Sequence, residues 1–296
     1  MKILLTGKHG QLGWELQRSL QPLGEVCALD RAALDLTRPE TIAAVVGSVR
    51  PDVIVNAAAY TAVDRAETEE ALATTVNGVA VGELAEAARK QGAQLVHYST
   101  DYVFDGDATR PYREDHATNP RSAYGRSKAA GERAIAQVGG DWLVFRTSWV
   151  YGARGRNFMR TIANAALERD TLRVVADQYG TPTSARMLAD LTGFALRDAT
   201  ERRREGRFSR GIYHVTAGGC TTWHTFAESI VDAVREMRGD AVRTRAVEPI
   251  TTNEFGASAP RPRYSVLDCA LFDSTFALNR SNWRSAFELV IADYFR

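Results

Sequence analysis

The chain has 296 residues, of which 45% are hydrophobic and 25% charged, a composition typical of a folded globular protein rather than a disordered one. Its 37 Lys and Arg residues nearly balance its 36 Asp and Glu residues, so the net charge is +1. This balance offers no basic footprint for nucleic acid, and we expect the partner to be a small molecule.

The first apolar run ends at Gly7, too early for a signal peptide or a transmembrane helix. We therefore expect a cytoplasmic protein with no membrane partner. The three cysteines, Cys27, Cys220 and Cys269, are odd in number and lack CxxC spacing. This pattern favours reduced thiols over disulfides or a zinc site.

The first half of the chain alternates short apolar runs with amphipathic stretches, as in a parallel sheet with helices on both faces. The apolar runs lack period-two alternation, as strands buried on both faces do. They predict strands over Lys2–Thr6, Val26–Asp30, Val53–Asn56, Leu95–Thr100 and Leu143–Thr147. Apolar residues at three- and four-residue spacing predict helices over Gln11–Leu20, Pro39–Val49, Glu69–Gln91 and Tyr124–Val138.

The alternation is less regular after about residue 150. Helices are predicted over Asn157–Glu168, Thr183–Ala199, Thr222–Met237 and Trp283–Phe295, with strands near Leu172–Val175 and Gly211–Val215. We therefore expect one domain over residues 1–150, and a smaller lobe made mainly from residues 151–296, with some segments returning to the first domain.

A glycine turn joins the first predicted strand to the first helix, with Gly7, Gly10 and Gly13 at three-residue spacing. Such a turn, followed by the free amides of a helix N-terminus, is typical of a site for the pyrophosphate of a dinucleotide. The spacing is GxxGxxG rather than the standard GxGxxG, so a purely structural turn is the alternative. The context favours a Rossmann-type, doubly wound parallel sheet that binds NAD(P), with a smaller C-terminal substrate-binding lobe.

Asp30 closes the second predicted strand, about 20 residues after the glycine turn, where an acid can accept a hydrogen bond from the ribose 2′-OH of NADH. Arg31 follows and could pair with the 2′-phosphate of NADPH, so both cofactors stay open. A turn cap is the structural alternative for Asp30. The small residues Ala57, Ala58 and Ala59 follow the third strand and leave room for adenine and ribose.

Tyr124 and Lys128 have the YxxxK spacing, which places both side chains on one face of a helix. Thr100 ends the fourth predicted strand, so the topology would bring all three to the carboxyl edge of the sheet. A surface role for Tyr124 and a capping role for Thr100 are the structural alternatives.

This set suits carbonyl reduction, because hydride delivered to a carbonyl carbon leaves an alkoxide that needs a proton. Tyr124 could donate it, and Lys128 is expected to lower the pKa of Tyr124 and to hold the nicotinamide ribose. The hydroxyl of Thr100 could bridge the carbonyl oxygen and the tyrosine.

Five segments resemble the dTDP-4-dehydrorhamnose reductase family of extended short-chain dehydrogenases, and the resemblance covers nearly the whole chain. The segments are Asn56–Asp64, Ser99–Phe104, Tyr124–Lys128, Arg146–Tyr151 and Asp177–Thr183. The resemblance implies reduction of the C4 ketone of dTDP-6-deoxy-L-lyxo-4-hexulose to dTDP-L-rhamnose, with NADH or NADPH as hydride donor.

The resemblance also implies roles for single residues. Its cofactor positions fall on Gly10, Gln11, Leu12, Asp30, Asp35, Leu36, Ala57, Ala58 and Ala59. Its catalytic positions fall on Thr100, Tyr124 and Lys128, and its sugar-side positions on Val63, Thr100, Asp101, Tyr102 and Trp149.

Some members of this family form dimers bridged by magnesium through carboxylates. Glu15 matches one such carboxylate, but Arg186 stands where another would be, and a guanidinium repels a cation. Glu288 or Asp293 aligns too loosely to be assigned. We therefore predict no metal, and leave a monomer and a metal-free homodimer both open.

Three alternatives stay open. Related 4,6-dehydratases resemble Thr-Asp-Glu where this chain has Thr100, Asp101 and Tyr102, so elimination would lack its base. A 4-epimerase would turn over without consuming reduced cofactor. A non-catalytic protein similar to the regulatory subunit of methionine adenosyltransferase could bind cofactor alone, but it would not need all of Thr100, Tyr124 and Lys128.

Overall fold

The computed structural model describes all residues, Met1–Arg296. Its strands are β1 (Lys2–Thr6), β2 (Glu25–Leu29), β3 (Val53–Asn56), β4 (Gln94–Thr100), β5 (Trp142–Thr147), β6 (Val150–Tyr151), β7 (Thr171–Val175), β8 (Tyr179–Gly180), β9 (Thr183–Ser184), β10 (Gly211–His214), β11 (Thr221–Thr222) and β12 (Ala246–Ile250). Its α-helices are α1 (Gln11–Ser19), α2 (Ile42–Val49), α3 (Val63–Ala66), α4 (Glu70–Thr74), α5 (Ala80–Gln91), α6 (Ala123–Val138), α7 (Phe158–Glu168), α8 (Ala185–Arg204), α9 (Trp223–Arg238), α10 (Thr252–Phe255), α11 (Ala270–Phe276) and α12 (Trp283–Phe295).

A six-stranded parallel sheet in the order β10-β5-β4-β3-β1-β2 forms the centre of the molecule. Successive residues of β1 enter opposite cores: Ile3 and Leu5 pack in one, whereas Leu4 packs in the other. Both faces are therefore covered, which is why the strands are continuous apolar runs. The predicted α/β, doubly wound parallel architecture is confirmed.

Two segments from the second half of the chain complete this sheet and its core. β10 pairs with β5 as the sixth strand, and α8 packs on α1, where Gly193 comes so close that an added Cβ would lie 3.0 Å from the carbonyl oxygen of Ser19. Leu188 and Leu196 of α8 are fully buried in the same core as β1.

A separate apolar core holds the smaller lobe together. It is built from one face each of α7, α9 and α12, with strand residues of the parallel pair β7 and β12. Phe226 lies at its centre and contacts the rings of Tyr151, Trp283 and Phe287 edge to face. The assignment of substrate binding to residues 151–296 stays a prediction.

The segment predicted as a helix over Glu69–Gln91 is helical from Glu70 to Gln91, but it is not one regular α-helix, because a π-helical turn over Thr75–Val79 lies between α4 and α5. The buried Asn77 lies in this turn, and its side-chain amide forms hydrogen bonds with both backbone groups of Tyr60 and with the hydroxyl of Ser127. A wider turn is a common way to aim a side chain out of a helix's regular path. Helix α6 packs so closely here that a Cβ on Gly131 would lie 2.2 Å from the carbonyl oxygen of Asn77.

No helix in the structure combines the length and the apolar character needed to span a membrane.

Candidate active site

One cleft of about 910 Å³ runs along the carboxyl ends of the sheet strands, within the usual size of a small-molecule site. Every residue predicted for the cofactor, the reaction or the sugar lines this cleft, except Gly13. Gly13 lies beneath the glycine turn, where an added Cβ would be 2.0 Å from the carbonyl oxygen of Gly7.

The glycine turn has the geometry expected of a phosphate cradle. Gly7 has a φ of +72°, and a Cβ there would lie 2.9 Å from the backbone nitrogen of Ala58. The amide of Gly10 donates to the carbonyl of Gly7 over 2.9 Å, and no side chain caps the start of α1. The first amides of α1 are therefore available to an anion, so the turn fits the diphosphate of a dinucleotide.

Asp30 lies at the exposed end of the cleft and already has protein partners. Its carboxylate is 2.9 Å from Nζ of Lys8 and 3.5 Å from Nε2 of His9, and it accepts a hydrogen bond from the amide of Ala33. The bond from Lys8, supported by the amide, lowers the pKa of Asp30 to about 2. Asp30 thus acts as a turn cap as well as facing the cleft.

Lys8 and His9 were missed by the sequence reasoning at this end of the cleft. Both belong to the glycine turn, and only the fold brings them to Asp30, which lies more than 20 residues away in the sequence. Arg31 pairs with Asp35 at 3.3 Å, and hydrogen bonds to Thr37 lower the pKa of Asp35.

At the other end, Thr100 and Tyr124 come together as predicted from strand and helix. The hydroxyl of Thr100 donates to Oδ1 of Asp101 over 2.9 Å and accepts from the amide of Tyr102. Burial raises the pKa of Tyr124, and a hydrogen bond with Thr100 opposes this only in part. The phenol is therefore held in its protonated form.

Lys128 is almost fully buried, and its Nζ donates to the carbonyl of Tyr98 over 2.6 Å and lies 3.1 Å from Nε2 of His97. Burial lowers the pKa of Lys128 to about 8. The predicted lowering of the Tyr124 pKa by Lys128 is not found in this structure, because burial raises that pKa and the Lys128 ammonium, turned towards Tyr98 and His97, is not among the groups that shift it.

A buried polar chain that the sequence reasoning missed supports Lys128 from behind. His97 contacts Asn56 over 3.0 Å, and the hydroxyl of Thr6 donates to Oδ1 of Asn56 over 2.6 Å. The amide of Ala58, on the cleft wall, donates back to Thr6. The only sequence signal was a polar residue at the end of β1 and of β3, and one inside β4.

Asp101 is a buried acid beside the reacting end of the cleft. Its Oδ2 has no hydrogen-bond partner, and burial raises the pKa of Asp101 to about 6. The hydrogen bond from Thr100 to the other carboxylate oxygen offsets only part of that cost.

Two further predicted sugar-side residues, Tyr102 and Trp149, contact the C-terminal half of the chain. The ring of Tyr102 meets that of Tyr124 edge to face, and its hydroxyl accepts a hydrogen bond from Arg261 over 3.1 Å. Trp149 adopts an unusual φ of +48° and stacks on Trp223 with ring centroids 3.5 Å apart.

Two of the three carboxylates considered for a metal bridge, Glu15 and Asp293, have cationic partners. Glu15 pairs with Arg18 at 3.1 Å, and Arg186 pairs with Asp293 on α12. No group of three or more metal-ligating side chains occurs in the chain.

Comparison with known proteins gives the family. Residues 1–296 match the family described as RmlD substrate binding domain. The dTDP-4-dehydrorhamnose reductase of Burkholderia thailandensis is 50% identical over 294 residues, covering 99% of both chains. The solved dTDP-4-dehydrorhamnose reductases of Clostridium acetobutylicum (37% identical, TM-score 0.88) and of Bacillus anthracis in complex with NADP (34%, TM-score 0.87) each match over 99% of both chains. As the five sequence segments predicted, the chain belongs to the dTDP-4-dehydrorhamnose reductase family of oxidoreductases.

Proposed function

We propose that this chain reduces the C4 ketone of dTDP-4-dehydro-6-deoxy-L-mannose to dTDP-L-rhamnose in the cytoplasm, taking hydride from NADPH or NADH. One observation carries the proposal: the glycine turn and the set Thr100, Tyr124 and Lys128 line a single cleft. They do so in a chain that is half identical, from end to end, to a dTDP-4-dehydrorhamnose reductase.

The residues of the cleft divide the task of holding a dinucleotide. The free amides of the glycine turn would bind its diphosphate, Asp30 and Arg31 would face the adenosine ribose, and Lys128 would hold the nicotinamide ribose. When bound, the nicotinamide supplies the hydride that the C4 carbon accepts.

Tyr124 serves as the proton donor. Its raised pKa keeps the hydroxyl protonated near pH 7, and the C4 alkoxide that develops is a stronger base than the phenolate left behind. The hydroxyl of Thr100, fixed by Asp101 and by the amide of Tyr102, orients the phenol. Thr100, Asp101 and Lys128 are at least 95% buried, and this limited access of water strengthens the interactions that they make.

Tyr102 argues against the dehydratase alternative. It stands where a dehydratase would carry a glutamate, and its hydroxyl is bound to Arg261, whose guanidinium is itself paired with Asp64 at 2.6 Å. Position 102 therefore offers no carboxylate that could remove a proton from the sugar.

The test is to mix the purified protein with the dTDP-4-keto-6-deoxy-L-sugar and to follow the absorbance of reduced nicotinamide, with NADH and NADPH in separate reactions. We expect loss of one equivalent of reduced cofactor per sugar, with dTDP-L-rhamnose as product. Sugar conversion without net oxidation would indicate an epimerase. Cofactor binding with no conversion would indicate a regulatory protein, and either result would overturn the proposal.

A further inference from the structure

The loop between β6 and α7 is the part of the smaller lobe that reaches the glycine turn. Asn157, the residue that caps α7, donates its side-chain amide to Oε1 of Gln11 over 2.9 Å. On the other side of the loop, a Cβ on Gly155 would lie 3.0 Å from Cγ of Gln11. The residue between them, Arg156, is thus held on both sides against the first residue of α1.

The three arginines of this segment differ in what their charges do. The guanidinium of Arg154 lies over the ring of Trp14 at 4.2 Å, and Arg160 donates to the carbonyl of Gly155 over 2.6 Å. Arg156 is exposed, lines the cleft and takes no part in any salt bridge or side-chain hydrogen bond. Its positive charge is therefore uncommitted.

The surroundings of Arg156 favour an anion. The first turn of α1 carries no acidic side chain, and its backbone amides are uncapped. Arg156 and the residues at the start of α1 line the same cleft. A helix N-terminus and an unpaired guanidinium together favour phosphate, because the guanidinium can donate two hydrogen bonds to it at once.

We propose that Arg156 binds a diphosphate group in the cleft, opposite the glycine turn, and that this is the diphosphate of the dinucleotide. The inference rests on the proposed function, which supplies that ligand. The sugar nucleotide also carries a diphosphate, but contact of the loop with Gln11 places Arg156 at the dinucleotide's turn. Binding would then tie the smaller lobe to the sheet, since the loop continues into α7.

The test compares two charge-removing variants of the same loop, Arg156→Gln and Arg154→Gln. Dissociation constants for NADPH are measured by its fluorescence on binding, and those for dTDP by calorimetry, with no reaction taking place. We expect Arg156→Gln to weaken the binding of NADPH about tenfold, because one charge-assisted hydrogen bond is lost at a partly exposed site. The affinity for dTDP should be unchanged. The matched Arg154→Gln should change neither by more than about twofold.

A second variant tests the docking of the loop. Gln11→Ala removes the contact with Asn157, so the penalty of Arg156→Gln should become smaller in the Gln11→Ala background than in the wild type. Arg156→Lys should recover part of the affinity, and thermal unfolding of each variant shows whether it is folded.

The failures are distinguishable. If wild-type protein and Arg156→Gln bind NADPH with the same affinity, this inference is overturned and the proposed function is not. Equal losses in the two arginine variants overturn it too, because a general charge effect would then explain them. If Arg156→Gln weakens the binding of dTDP and leaves the affinity for NADPH unchanged, the assignment to the dinucleotide is overturned, and Arg156 contacts the sugar nucleotide instead. Wild-type protein that binds neither NADPH nor NADH contradicts the proposed function itself.

Discussion

The pKa values of ionisable groups are shifted by different causes at the two ends of the cleft. At the exposed end, Asp30 and Asp35 keep contact with water, and hydrogen bonds and ion pairs lower their pKa values. At the buried end, burial is the largest cause of every shift: it raises the pKa of Asp101 and Tyr124 and lowers that of Lys128. Water screens charge at the first end, whereas the protein interior penalises it at the second.

This difference predicts how substitutions will behave. Changes at the buried end should be large and should depend on pH, because an uncompensated charge or a missing proton has no solvent to replace it. Changes at the exposed end should be small and should depend on salt, because screened pairs contribute little.

The largest effect should come from the proton donor at the buried end. Tyr124→Phe removes one hydroxyl and should lower kcat by about 10² to 10⁴, because the proton is needed only as the alkoxide develops. The dissociation constant for NADPH should stay within about twofold of wild type. Steady-state rates with binding titrations check both numbers, with Tyr294→Phe, far along the chain on α12, as the matched control. Equal losses in rate and in cofactor affinity would contradict the role given to Tyr124.

The next largest effect should come from the ion pair packed behind the buried end. Arg146 donates two hydrogen bonds to Glu132, and both side chains are at least 95% buried. Glu132→Gln leaves the guanidinium charge unpaired and should lower the free energy of unfolding by about 3 kcal/mol. Glu70→Gln breaks the exposed pair with Arg126, and should cost less than about 1 kcal/mol. Urea unfolding measures the free energy of unfolding of both variants. Similar decreases for the two would contradict the expected difference between the buried and the exposed ion pair.

The buried carboxyl of Asp101 should make the stability of the protein depend on pH. Since its folded pKa is raised from 3.8 to about 6, the folded state binds more protons than the unfolded state between these values. The stability of the wild type should therefore fall as the pH rises from about 4 to 6, by roughly 2 kcal/mol from this residue. Asp101→Asn lacks that ionisation and should unfold at a higher temperature near pH 7, with the difference vanishing near pH 4. Melting curves across this range check it, and a constant difference would show that the carboxyl is not penalised by burial.

The smallest effect should be found at the exposed end. Asp30→Asn removes the partner of Lys8 and a negative charge that opposes a 2′-phosphate, so the affinity for NADPH relative to NADH should rise about fivefold at low salt. That gain should shrink as salt is added, and the free energy of unfolding should hardly change, because water screens this exposed pair. Binding titrations of both cofactors at two ionic strengths measure the ratio of the two affinities. A ratio that does not change with salt would contradict the view that water screens the charge of Asp30.

Local sequence patterns were enough to predict most of the cleft. The glycine spacing identified the turn, and the YxxxK spacing placed Tyr124 and Lys128 on one helical face, because both depend only on residues a few positions apart. Continuous apolar runs predicted the buried parallel sheet for the same reason. The resemblance of five segments added the family, which the comparisons confirmed.

Only the tertiary structure decided the environment of these residues. The direction of the Tyr124 pKa, the pairing of Arg186 with Asp293, the π-helical turn at Asn77 and the free charge of Arg156 each depend on segments brought together from distant parts of the chain. Desolvation sums over every atom around a group, and a long side chain takes whichever partner the fold presents. Helices, strands and turns depend on neighbouring residues and can be predicted from them. Burial and charge pairing arise only when the chain has packed.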